Sequence, residues 1–300
     1  MRDFLQYEYN EYYFLPDPDE FIFQYRAKDD DKQLLKTPVT LDQFEDMPSV
    51  KSIFFTHGLQ FDGPLMAVLH TDANGITEVN IRLSFAKNIK LSCTLRHAES
   101  TRRDETEFRG AKLERFVFHS IVDDLALFRV QVPEPGSYLL ELFVSRFDAG
   151  TLNGACVFKI VCDASGVAAC PLPNCAGTEW GPRRGEHRFG FKALTHVNGI
   201  VNVDKDLEMV FTLPTKLGFL YELHKNGVID SVLENYVNLI VTDDSLTIEV
   251  TLPPAGQYGL EIYAQKEDAV DKKKFAYACK YLLNVTSPGG RNTFVGPWLR

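Results

Sequence analysis

"VPEPGSYLLEL" (Val132 to Leu142) and "LPPAGQYGLEI" (Leu252 to Ile262) are nearly one phrase written twice, 120 positions apart. Pro133 corresponds to Pro253, Gly136 to Gly256, Tyr138 to Tyr258 and Glu141 to Glu261. The register runs back to Asp123-Asp124 and Asp243-Asp244, and to Val130 and Val250. Coincidence does not hold register over such a window, so the chain contains a duplicated unit. Solenoid repeats run to roughly 20–50 residues; a longer period means two whole domains of one fold.

Within each unit the apolar period is two. "EVNIRLSF" (Glu78 to Phe85), "LALFRVQV" (Leu125 to Val132), "LEMVFTL" (Leu207 to Leu213) and "LTIEVTL" (Leu246 to Leu252) alternate inward and outward residues. Alternation predicts strands half-buried in antiparallel sheets. Asn74-Gly75, Asn153-Gly154, Asn198-Gly199 and Asn226-Gly227 read as turns, because Asn-Gly supplies positive φ at low steric cost. About seven or eight short strands per unit predict a β-sandwich of about 100 residues.

The duplicated phrase then reads as a corner. Its prolines stop one strand, Gly136 or Gly256 turns the chain, and Tyr138 or Tyr258 opens a strongly apolar strand. That pattern is similar to the tyrosine corner of immunoglobulin-like sandwiches, where the hydroxyl bonds backbone a few residues upstream. Leu140 and Leu260 stand where antibody domains place a disulfide cysteine. Each sandwich is therefore expected to hold by burial alone, at ~1.5–3 kcal/mol per large apolar side chain.

Among the 300 residues, 45% are hydrophobic and 24% charged, an ordinary soluble composition. The net charge of −9 argues against nucleic acid, which needs clustered Lys and Arg. No apolar run approaches the roughly 18–20 residues of a membrane span. "MRDFLQYEYNEYY" lacks the apolar centre of a secretory signal. Cys93, Cys156, Cys162, Cys170, Cys175 and Cys279 are accordingly read as reduced thiols of a cytoplasmic protein. The "NVT" sequon at Asn284 carries no meaning without export.

Between the units, residues 166–185 are rich in Gly and Pro and show no strand period, so they form a linker. Trp180 within it is expected to pack against a neighbouring domain face, which makes the linker short and partly ordered. Residues 1–50 are crowded with aromatics and too few to fold alone. They contain one short helix at "TLDQFEDMP", with Thr40 and Gln43 as a capping box and Pro48 as the stop.

The run "YYFLPDPDEFIFQY…KQLLKTPVTLDQFEDMPSVKSIFFTHGLQF" (Tyr12 to Phe61) resembles the kyphoscoliosis peptidase and hillarin family. The pieces that match are Tyr13-Phe14-Leu15, Pro18, Phe21-Ile22, Gln33-Leu34-Leu35, Phe44-Glu45, Phe54-Phe55 and Gly58-Leu59. "EWGP" (Glu179 to Pro182) and "GQYGLEIYA" (Gly256 to Ala264) also fit, so the resemblance covers essentially the whole chain. The family has a His-Phe-Pro before the Gln-Leu-Leu piece and a Trp within it, where this chain has Gln24-Tyr25-Arg26 and Lys32. The resemblance implies that this region follows a transglutaminase-like catalytic domain, whose Cys, His and Asp would precede residue 1. It also implies protein partners of the cytoskeleton, and a muscle member tied to filamin-type crosslinkers.

Sharper chemistry has weaker support. Cys156 in "NGACVF", with His187 or His196 and Asp204, has the spacing of a Cys-His-Asp constellation. An alternating strand, however, offers no thiolate-stabilising helix end or cation, so Cys156 is expected to be a buried small hydrophobe beside Cys279. Cys170 and Cys175, with His187 as at best a third ligand, fall short of the four that structural zinc needs. The acidic clusters Asp17 to Glu20 and Asp29 to Asp31 lack a calcium-loop pattern and read as solvated turns. His70, His97 and His224, at strand ends, are expected on the surface.

The expectation is an all-β chain of two tandem immunoglobulin-like sandwiches, residues 51–165 and 186–288, behind a short mixed segment with one small helix. No catalytic residue, metal or cofactor is expected. The function expected is a non-catalytic protein-binding module, a scaffold or cytoskeletal linker; the alternative is the C-terminal part of a thiol-dependent acyltransferase or peptidase. Apolar residues 289–300 add Phe294 and Trp298 to Trp180 as candidate partner anchors, unless they fold back on the second sandwich.

Overall fold

The computed structural model describes residues 11–63, 66–85, 88–99, 101–102, 105–165, 167, 169–251, 253–267 and 274–286. The elements run α1 (Pro18–Phe21), α2 (Leu41–Glu45), β1 (Ser49–Val50), α3 (Ser52–Thr56), β2 (Leu59–Phe61), β3 (Val68–His70), β4 (Ile76–Leu83) and β5 (Ile89–His97). A small hairpin of β6 (Glu107–Phe108) and β7 (Ala111–Lys112) precedes β8 (Val117–Val122), β9 (Leu125–Gln131), β10 (Gly136–Arg146) and β11 (Asn153–Cys162). After β12 (Glu179–Trp180) and α4 (Arg183–Phe189) come β13 (Lys192–Ala193), β14 (Ile200–Val203), β15 (Leu207–Thr212) and β16 (Leu217–His224). β17 (Val237–Val241), β18 (Ser245–Val250), β19 (Gly256–Lys266) and β20 (Ala276–Val285) complete the described chain.

Two sandwiches of one topology result. In the first, one sheet orders β8-β9-β4-β2 and the other β11-β10-β5, with β3 added parallel to β11. In the second, β17-β18-β15-β13 faces β14-β20-β19-β16, with β14 parallel to β20. The D-E-B and G-F-C strand neighbours of an immunoglobulin sandwich are reproduced twice. Even the irregularities repeat: β10 bulges between Leu142 and Phe143, and β19 between Ile262 and Tyr263, again 120 positions apart. Immediately before each bulge Leu142 faces Cys156 and Ile262 faces Cys279, so the two thiols are equivalent although their spacing is three residues longer.

Each pattern has a local cause. β5 alternates buried and half-buried residues without a break, so Ile89, Leu91, Cys93 and Leu95 line one core. All six cysteines are free, and Leu140 and Leu260 are fully buried where antibody domains carry the bridge. Helix α2 is closed by the reciprocal Thr40–Gln43 box. The N-terminal segment is more helical than expected: Asp17 caps α1 by accepting from the Asp19 N–H, with Pro18 in the first helical turn, where its missing N–H costs nothing. Asn153-Gly154 is not a turn but the start of β11, since Gly154 pairs with Phe143 at the bulge. β1 pairs with Val157 and Cys156, which ties the N-terminal segment to the first sandwich.

Candidate functional site at the junction of the sandwiches

Both corners adopt one geometry. Gly136 and Gly256 each sit at φ +147°, outside the range a side chain readily accepts. Two residues on, the Tyr138 hydroxyl donates to the Glu134 carbonyl at 3.0 Å and Tyr258 to the Pro254 carbonyl at 2.6 Å. Both rings are buried. Tyr258 also accepts from Lys225 Nζ at 2.9 Å, while Tyr138 lies against the His97 ring. The corners are internal supports, and neither tyrosine faces solvent.

The most elaborate surface lies between the sandwiches. Strand β12 adds parallel to the outer edge of β8, with Glu179 opposite His119 and Trp180 opposite Ser120. The Trp180 indole stacks near Phe118 at 6.1 Å and shares a small apolar cluster with Leu172 and Leu282. Lys280 Nζ lies 4.3 Å over the same indole and donates to the Gly177 carbonyl at 2.6 Å. Burial pulls this ammonium down to about 8. One indole therefore meets both an aromatic of the first sandwich and a cation of the second.

Arginines finish the joint. Arg183, at the start of α4, makes a two-pronged pair with Glu179 at 2.9 and 3.0 Å and also donates to the Ile89 carbonyl. Arg115 donates twice to the Leu172 carbonyl and also to Asn226 of the second sandwich. Phe147 stacks on His187 at 3.8 Å. Such planar, shared, partly buried donors define relative position more strongly than exposed ion pairs do.

On the outward face of β19 and β16 the linker covers a polar network. Glu261 is 2% exposed; it accepts from the Ala176 N–H, from the Tyr263 hydroxyl at 2.8 Å and from His224 Nε2 at 3.1 Å. His224 Nδ1 is 3.0 Å from Asp230. The bond to Glu261, helped by Asp230, lifts His224 to about 9. Burial pushes Glu261 upward, but its three donors outweigh that and hold it below the usual carboxylate range. Both shifts describe an imidazolium–carboxylate pair. Burial pushes the Cys175 thiol beside them up to about 12.

The sequence-based candidates separate on this framework. Trp180 is 3% exposed and fully engaged inside the chain, so as a partner anchor its surface is already occupied. Phe294 and Trp298 lie outside the described residues. Cys156 is buried in the first core, its thiol pushed up by burial, while His187 stacks on Phe147 and His196 bonds Thr195. The spacing that suggested a triad brings no such groups together. His97 and His224 are not surface residues: His97 is buried against Tyr138, and the linker roofs His224. Cys170 is exposed, but Cys175 is packed on the second sandwich.

Sequence reasoning missed Glu261, Lys280, His224 and Arg183. For Lys280 the signal lay in "AYACKYLLNV", where burial continues through Lys280 and Asn284 without alternating. A strand buried on both faces loses its period of two.

Two sandwiches of this topology, with matching corners and no disulfide, define a tandem immunoglobulin-like chain. The family model described as "KY-like, immunoglobulin-like domain" matches residues 41–173 and 187–295, and the chain belongs to that family. Hillarin of Drosophila melanogaster is 33% identical over 312 residues, covering 94% of this chain and 38% of that protein. Lim and transglutaminase domain protein ltd-1 of Caenorhabditis elegans is 33% identical over 293 residues, covering 93% and 40%. Kyphoscoliosis peptidase of Mus musculus is 24% identical over 280 residues, covering 92% and 39%. The chain thus spans about two fifths of the length of these relatives.

Proposed function

We propose that this chain is a non-catalytic protein-binding module that acts as a scaffold or linker of the cytoskeleton. The supporting observation is the junction: aromatic stacking, a buried lysine and shared arginines hold two sandwiches as one platform. Four of its six thiols are buried in the cores. Burial pushes the Cys93 thiol up to about 12 and raises Cys156 and Cys279 further, away from nucleophilic thiolate. No helix among the described residues is long and apolar enough to cross a membrane.

A second reading has its own support. The relatives' names include a peptidase and a transglutaminase domain, and this chain aligns with only two fifths of them. In that reading the module positions substrates for chemistry performed elsewhere in a longer protein. The purified chain distinguishes a module from a self-sufficient enzyme. We expect no transglutaminase or peptidase turnover, no effect of Cys156→Ala, and co-sedimentation with a detergent-insoluble cytoskeletal fraction. Thiol-dependent turnover abolished by Cys156→Ala sinks the non-catalytic reading; a chain that stays in the supernatant removes the cytoskeletal one.

A further inference from the structure

The linker does more than pack. Cys175 of the linker, His224 of β16 and Glu261 of β19 each offer one ligating atom, and the three atoms lie within 4.8 Å of one another. We propose that these three side chains form an open, three-ligand zinc(II)-binding site where the linker meets the outer face of the second sandwich.

Three independent features support it. The first is the donor set: a thiolate, an imidazole and a carboxylate suit zinc, and three protein ligands leave a fourth position for water. Cys175 also lines a cleft of about 240 Å³ at the junction. The second is the outer shell. Asp230 on His224 Nδ1 fixes the ring so that Nε2 faces Glu261, and Tyr263 and the Ala176 N–H orient the carboxylate. Carboxylate-oriented histidine is the usual arrangement behind a zinc ligand.

The third is a dent in the sheet. Gly259 pairs with His224 across the strands, and a Cβ there would lie 2.2 Å from Cys175 Sγ. The missing side chain is what lets the thiol descend beside the imidazole. The first sandwich is an internal control: the same positions hold Arg96 paired with Leu139, and only Glu141 is shared. That face has neither ring nor dent. Binding displaces the proton between His224 Nε2 and Glu261 and the Cys175 thiol proton, both released to solvent.

The test uses the full chain, stripped of metal and titrated with zinc(II) against a chromogenic chelator. One equivalent is expected, and cobalt(II) in its place should show a thiolate-to-metal charge-transfer band. Cys175→Ser should abolish that band, and Asp230→Asn, which leaves all three ligands, should weaken zinc binding by roughly 10–100-fold. Cys170→Ser and Glu141→Gln should change nothing. Melts of the metal-free variants check that each is folded. No stoichiometric uptake overturns the proposal, as does uptake lost in Cys170→Ser and unaffected by Cys175→Ser and Asp230→Asn.

Discussion

Single side chains explain why two sandwiches without disulfides persist. Tyr138→Phe should destabilise the chain by ~1–3 kcal/mol, the cost of stranding a backbone acceptor. Tyr258→Phe should cost more within that range, because Lys225 also loses one acceptor and keeps only the Ala255 carbonyl. Urea melts of the whole chain decide this, and two unchanged midpoints would leave the corners without an energetic role. His119 is a different kind of residue. It is fully buried, stacked on Phe128 at 4.2 Å, and neither ring nitrogen has a hydrogen-bond partner among the described residues. Burial, with Arg183 and Lys280 nearby, drives it down to about 3. Its folded pKa lies below its unfolded value of 6.5, so the unfolded chain binds the extra proton. The contribution of His119 is therefore fully present above pH ~6.5 and is lost at up to ~1.4 kcal/mol per unit as acid approaches pH 3. His97, also lowered, acts in the same direction. His224, raised to about 9, acts the other way, its contribution being lost as pH rises from 6.5 through 9. Melts at pH 7 and pH 5 should show a smaller acid loss in His119→Phe than in the parent; equal losses would dismiss His119 as the acid-labile group.

At the scale of elements, the linker is the part whose removal changes most. Trp180→Ala deletes the contact shared by Phe118, Leu282 and Lys280, a truncation of the kind that costs about 3–5 kcal/mol. Amide hydrogen exchange across residues 172–182 should rise sharply in this variant while both cores stay protected. Unchanged exchange there would mean that the arginines alone fix the joint. The sandwiches themselves were legible, because β4, β9, β15 and β18 alternate as half-buried strands must, and the corner phrase marks one strand in each unit. The linker was legible only as Gly- and Pro-rich punctuation plus one misplaced indole. Its hydrogen bonds join residues 57, 85, 94 and 103 positions apart, and such pairings leave no local period to read. His70 is exposed as expected, but His97 and His224 were misjudged, because a strand end looks exposed until residues distant in sequence cover it.

For the molecule as a whole, the parallel strand Glu179–Trp180 has a consequence beyond rigidity. It lies on β8, whose sequence Val-Phe-His-Ser-Ile-Val bears no formal charge while His119 stays neutral. A short, apolar, uncharged strand with free hydrogen-bonding groups along one side is a template for self-association. Charged residues or proline usually guard such an edge; here the guard is the linker itself. The joint between the sandwiches is therefore also a solubility device. Conditions that lift Trp180 from Phe118 bare an aggregation-prone segment while both domains remain folded.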